Sequence, residues 1–320
     1  MESSRAARRR ARRFPRRPLM YTALACVAVV GVTAGGTVYV KAQAHSGAGV
    51  VSSAATPSAL PSPATTTTTQ EAAVAEPVVD LDERLADAMK SVSVTGEQRV
   101  SAAVLDLESG DSAVHGAGAF DTASIVKVDI LAALLLRHQE AGTRLSTQEK
   151  AYATKMIQNS DNASASALWD IIGKAPGLDA ANEKFGLTGT RGGDGALWGL
   201  TRTTAADQLA LLQQVFGDDS ELSEASRSYL RELMGQIAAD QRWGVSAAAD
   251  GSGWALKNGW LPRSTTGLWD INSIGRVTVD GHAFLVAVLS DGNTTQAKGI
   301  SLVEAAAKAA VSVFTGAAVR

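Results

Sequence analysis

At 320 residues, 45% of them hydrophobic and 19% charged, the chain is too apolar to be disordered throughout and long enough to bury one sizeable core with appendages to spare. The formal charge of −2 hides an uneven split: residues 1–17 hold eight Arg against the single acid Glu2, while the remainder, with 22 basic and 31 acidic residues, is net −9. Because the Arg cluster abuts an apolar run, the positive-inside rule explains it, and nucleic acid is excluded as a partner.

Residues 1–18 therefore read as a basic cytoplasmic segment. Residues 19–40 follow, 22 positions without a charge, about 33 Å long at helical rise and enough for the bilayer core. This segment is a transmembrane signal anchor or a signal peptide. Lys41 and the length of the run favour retention, which makes a single-pass protein with its folded domain outside. Ala42-Gln43-Ala44 has the small-x-small form of a peptidase site and favours release near Ala44. Ala25-Cys26 hints at a lipoprotein box, but too little of the apolar run precedes it. Cys26 is the only cysteine, so the folded domain has neither a disulfide nor a thiol nucleophile. Residues 41–79 form a disordered linker, in which 17 of the 18 residues from 52 to 69 are Ser, Thr, Pro or Ala.

One domain occupies residues 80–320. Residues 81–89 form an amphipathic helix, and 100–107 a strand running into the turn Glu108-Ser109-Gly110-Asp111. Residues 124–140 are a helix apolar nearly all round, as one through the centre of a core would be. Further helices fall near 147–158, 163–172, 178–185, 204–216 and 222–237. The period then changes, with strands over 254–260, 266–279 and 283–289 and a final helix over 300–314. Strands at both ends with helices between imply an α/β (α+β) domain, an antiparallel sheet built from both ends of the domain and packed against a helical cluster.

Three short motifs lie in these elements. Ser124-Ile125-Val126-Lys127 opens the apolar helix, where i and i+3 share a face, and the helix N-terminus favours developing negative charge. Lys127 sits in an apolar surrounding, so its charge requires a partner. Ser160-Asp161-Asn162 lies between two helices, and Lys257-Asn258-Gly259 lies in a strand. The order S-x-x-K, S-D-N, K-T-G resembles that of the class A β-lactamase and penicillin-binding-protein superfamily of serine hydrolases over about residues 81–315. The resemblance implies that Ser124 forms an acyl-enzyme and that Lys127 accepts its proton. Ser160 would relay a proton to the leaving nitrogen, beside Lys257. Asn162 would bind the acyl side-chain amide, and Asp161 would brace its own loop. The backbone N–H groups of Ser124 and Trp260, the latter after Gly259, would hold the oxyanion.

Three departures qualify that pattern. Asn258 replaces the usual hydroxyl residue, so a substrate carboxylate would have to be met by an amide donor. The segment 128–159 is short, implying a trimmed helical part and a more open cleft. The E-x-x-L-N glutamate that serves deacylation in class A enzymes has no counterpart between Asn162 and Thr203. Asp194 is the candidate for that role, whereas Asp170, Asp179 and Glu183 fall in helical patterns. Trp169 and Trp269 read as core, while Trp243, Trp254 and Trp260 are divided between core and cleft wall.

The four histidines, at 45, 115, 138 and 282, have no metal-ligand spacing, and no G-x-S-x-G elbow or phosphate-binding P-loop occurs. No metal and no cofactor are expected. The expected protein is a monomeric, exported hydrolase acting on a β-lactam or a peptidoglycan-derived amide. Its alternatives are a D,D-carboxypeptidase or peptidoglycan peptidase and a non-catalytic or slowly deacylating, penicillin-recognising envelope sensor.

Overall fold

The computed structural model describes residues 80–251 and 253–316. The segments read as cytoplasmic, membrane-entering and linker lie outside them. Among the described residues no helix is long and apolar enough to cross a membrane.

Five antiparallel strands form the main sheet in the order β2-β1-β7-β6-β5. They are β1 (Arg99–Asp106), β2 (Ser112–His115), β5 (Trp254–Pro262), β6 (Trp269–Val279) and β7 (His282–Asn293), with β3 (Phe120–Asp121) and β4 (Arg202–Thr203) pairing separately. The sheet thus joins both ends of the domain, as expected. It is covered on both faces. In β1 and β7, Ala103, Leu105, Leu285, Ala287 and Leu289 pack into the core of the helical side, whereas their alternates Ala102, Val104, Val286 and Val288 pack against the terminal helices. Double burial explains why the strands read as near-continuous apolar runs.

The terminal helices are α1 (Leu81–Met89) and α8 (Gln296–Thr315). The other side holds α2 (Val126–Glu140), α3 (Thr147–Gln158), α4 (Asn162–Ile172), α5 (Lys174–Phe185), α6 (Ala205–Phe216) and α7 (Glu224–Met234). Helix α2 is the axis of this half: Val128, Ile130, Leu131 and Leu134 are fully buried. Its small amphipathic asymmetry follows from neighbours on every side. Two expectations need amendment. The α-helix starts at Val126, because residues Ala123–Ile125 form a 3-10 turn, so Ser124 stands on that turn rather than in the helix. The short strands β2, β3 and β4 carry too few residues to show a period.

Candidate active site

The site forms where the start of α2, the α3–α4 connection and edge strand β5 meet. Ala123, immediately before Ser124, has φ 48°, and Ser160 has φ 55°. Positive φ is uncommon for residues with a Cβ and is concentrated at functional sites. Here the two strained residues bear on two of the three motifs.

Strand β5 is pressed against the 3-10 turn that carries Ser124. A Cβ built on Gly259 would come within 2.7 Å of the Thr122 carbonyl oxygen, 2.8 Å of the Ser124 nitrogen and 2.9 Å of the Ile125 nitrogen. Only a glycine allows that approach. Across the ladder Gly259 pairs with Asn272, whose amide donates to the carbonyls of Asp121 (2.9 Å) and Thr122 (3.0 Å) while its oxygen accepts the Ser290 N–H at 3.1 Å. Asn272 is fully buried and ties β6, β7 and the residues leading into Ser124 together. Asn272→Leu leaves those groups without their partner and is expected to lower the unfolding free energy by about 2–4 kcal/mol. Urea titration checks this.

Lys127 is wholly buried and satisfied by three acceptors: the Ser160 carbonyl at 2.7 Å, the Ser160 Oγ at 3.0 Å and the Asn162 Oδ1 at 2.8 Å. Lys257, also fully buried, donates to the same Ser160 Oγ at 3.0 Å and to the Asn258 carbonyl at 3.0 Å. Two amines therefore converge on one hydroxyl. Burial lowers Lys127 to about 7, partly opposed by the carboxylate of Asp161. Burial, with the neighbouring Lys127 adding to it, pushes Lys257 well below the ordinary lysine range. Both amines are thus easier to deprotonate than an ordinary lysine, and they share one hydroxyl. The Ser124 hydroxyl makes no hydrogen bond among the described residues; it lines the cavity in front of this pair. Catalytic hydrogen bonds are often long or poorly aligned without substrate, so this geometry is compatible with a serine that pairs with its base only in a complex.

That cavity has a volume of about 360 Å³ and is lined by Ser124, Asn162, Leu197, Trp198, Trp260 and Leu261, among others. Trp260 stands at the wall and packs against Trp243, with ring centroids 6.0 Å apart. Trp169 is core, and Trp254 lies under the Arg242 guanidinium. Asp161 caps α4, accepting the Ser164 N–H at 2.8 Å.

Two sequence-based expectations find no geometric support. Asn258 is buried on the far side of β5, its amide spent on the carbonyls of Gln241 (2.7 Å) and Trp243 (3.0 Å). Alternation along the strand sends Lys257 toward Ser160 and Asn258 away from it, leaving no amide donor for a substrate carboxylate. Asp194 is exposed outside the cavity lining and accepts the Leu197 N–H through its backbone carbonyl at 2.9 Å. Asp170 lies near Lys174, and Asp179 accepts the Gly192 N–H. Among the described residues no acidic side chain lines the cavity. Trp198 does, and it was not singled out from the sequence. It sits in an aperiodic loop that gives no pattern, far along the chain from the lysine it covers. Among the described residues no three His, Cys, Asp or Glu side chains gather as a metal-ligating group.

Comparison with known proteins agrees with this architecture. Residues 136–314 match the model of the beta-lactamase enzyme family, a match that begins beyond Ser124 and Lys127. A curated relative, "Putative lipoprotein LppW" of Mycobacterium tuberculosis, is 28% identical over 260 residues, covering 77% of this chain and 82% of the relative. Among solved structures, PBP-A superposes with TM-score 0.62 at 20% identity, covering 73% of this chain and 97% of that one. The TLA-1 extended-spectrum beta-lactamase carrying an S-to-G change superposes with TM-score 0.63 at 14% identity, over 73% and 97%. A beta-lactamase from Xanthomonas campestris gives TM-score 0.57 at 22% identity, over 72% and 98%.

Proposed function

Because the chain belongs to the beta-lactamase enzyme family, we propose that it is an exported serine acyl-transfer enzyme in which a β-lactam or related amide acylates Ser124. The observation that carries this reading is the convergence of Lys127 and Lys257 on the Ser160 hydroxyl beside the nucleophile turn. Neutral Lys127 takes the Ser124 proton as Oγ attacks the carbonyl carbon. The oxygen of the tetrahedral intermediate is held by the N–H groups of Ser124 and Trp260. As the C–N bond breaks, Ser160 gives its proton to the departing nitrogen and is reprotonated from the lysine pair. The acyl ester on Ser124 is then hydrolysed by water.

The cavity favours an apolar acyl group, since its walls are chiefly Leu197, Leu200, Trp198, Trp260 and Leu261 around Ser124 and Asn162. The missing acid gives weight to a second reading, a D,D-carboxypeptidase or an acylating sensor, in which the covalent adduct outlives its formation. The relative named as a lipoprotein supports an envelope location. In this reading residues 19–40 hold the chain in the membrane, or are released near Ala44.

Exposing the purified full-length chain to benzylpenicillin and following its intact mass tests the proposal. The mass of one penicilloyl group should appear on the wild type and not on Ser124→Ala. An unmodified wild type with undiminished penicillin contradicts β-lactams as substrates; a modified Ser124→Ala contradicts the nucleophile.

A further inference from the structure

We propose that Trp198 is a specificity-determining residue that keeps water from the acyl ester on Ser124, making the covalent adduct persistent. The inference rests on the acyl-enzyme reading above.

Three observations meet at this side chain. The Lys127 Nζ lies 4.9 Å from the centroid of the Trp198 ring, within cation–π range. Trp198 lines the same cavity as Ser124 and Asn162, in the stretch from Ala196 to Leu200 that forms one wall and bears no ionisable side chain. The indole is also fixed in place: its N–H donates to the Ser166 hydroxyl on α4 at 3.1 Å, and the turn beneath is held by Leu200 N–H to the Leu197 carbonyl and Thr201 N–H to the Trp198 carbonyl. Gly193 secures the loop from below, since a Cβ there would come within 2.1 Å of the Leu197 carbonyl oxygen.

The consequence concerns the second half-reaction. Hydrolysis needs a water oxygen to attack the ester carbon while a base removes its proton. The C–Oγ bond then breaks, the proton passes to Ser124 Oγ, and a carboxylic acid departs. With no acid among the described residues of the lining, Lys127 is the base that remains for this step, and the Trp198 ring lies over its amine. Acylation needs no water: Ser124 stands on the 3-10 turn three residues before Lys127.

The test separates the two half-reactions on the full-length chain by intact mass, first forming the penicilloyl adduct and then removing free penicillin. Trp198→Ala should lose the adduct at least about tenfold faster than wild type, part of the ~10²–10⁴ that general base catalysis supplies, a rate read only from adduct already formed and so independent of how fast the variant acylates. Trp198→Phe keeps a ring over Lys127 and should remain slow. Ser166→Ala, an exposed helical position where alanine is well tolerated, frees the indole without threatening the fold and should accelerate loss in the same direction by a smaller factor. Unchanged adduct lifetimes in both Trp198→Ala and Ser166→Ala, measured on adduct already formed, overturn the proposal. A wild type that never acylates overturns the underlying reading instead.

Discussion

Lys127→Met is expected to slow acylation of Ser124 by about 10²–10⁴-fold, the range that a positioned general base supplies. Methionine fills similar volume in the buried start of α2 but removes the amine. Lys127→Arg should be as inactive, because a guanidinium carries charge yet cannot take a proton. The wild-type pH profile follows from the same side chain. Burial holds Lys127 at about 7, so the ammonium dominates below that value and the amine above it. Acylation should rise with pH through about 7 and then level off, and stopped-flow mixing with a chromogenic cephalosporin across pH 5–9 measures it. A rate that is flat across this range, or that falls through 7, removes Lys127 as the base.

Gly259→Ala should be almost as damaging, by a different route. The added Cβ meets backbone atoms of Thr122, Ser124 and Ile125 at 2.7–2.9 Å, and none of these is a flexible side-chain end that can move aside. Strand β5 must retreat from the nucleophile turn, carrying the Trp260 N–H away from the Ser124 N–H. Loss of one oxyanion donor costs about 10²–10³ in rate, and acylation should fall by that much while the protein still unfolds cooperatively. Gly235→Ala is the control. It follows α7 with φ −77°, and its nearest neighbour to an added Cβ is 3.5 Å away, so acylation there should match wild type.

Much of this site could be read from the chain because its chemistry is local. Ser124 and Lys127 are three residues apart, and the Ser160–Asn162 run sits at a helix start. The long periodic helices were equally legible, since burial of α2 and α8 dictates their apolar content. What escaped depends on long-range contacts or on backbone conformation. Ala123 carries no sign of its positive φ, because alanine is ordinary in helices. Asn272 offered a usable hint: a row of polar residues, Asn272 and Ser273, in a strand buried on both faces must find partners. Asn258 was misassigned by analogy, although strand alternation alone would have sent it away from Lys257. Trp198 had no signal, because its meaning comes from where the loop returns to α2.

The most direct measurement is the location of the covalent adduct. After brief exposure to benzylpenicillin, tryptic digestion and tandem mass spectrometry should find the penicilloyl group on the peptide from Val100 to Lys127, at Ser124. Attachment at Ser160, at another hydroxyl, or nowhere while penicillin is consumed would contradict the assignment of Ser124 as the nucleophile and the mechanism built on it.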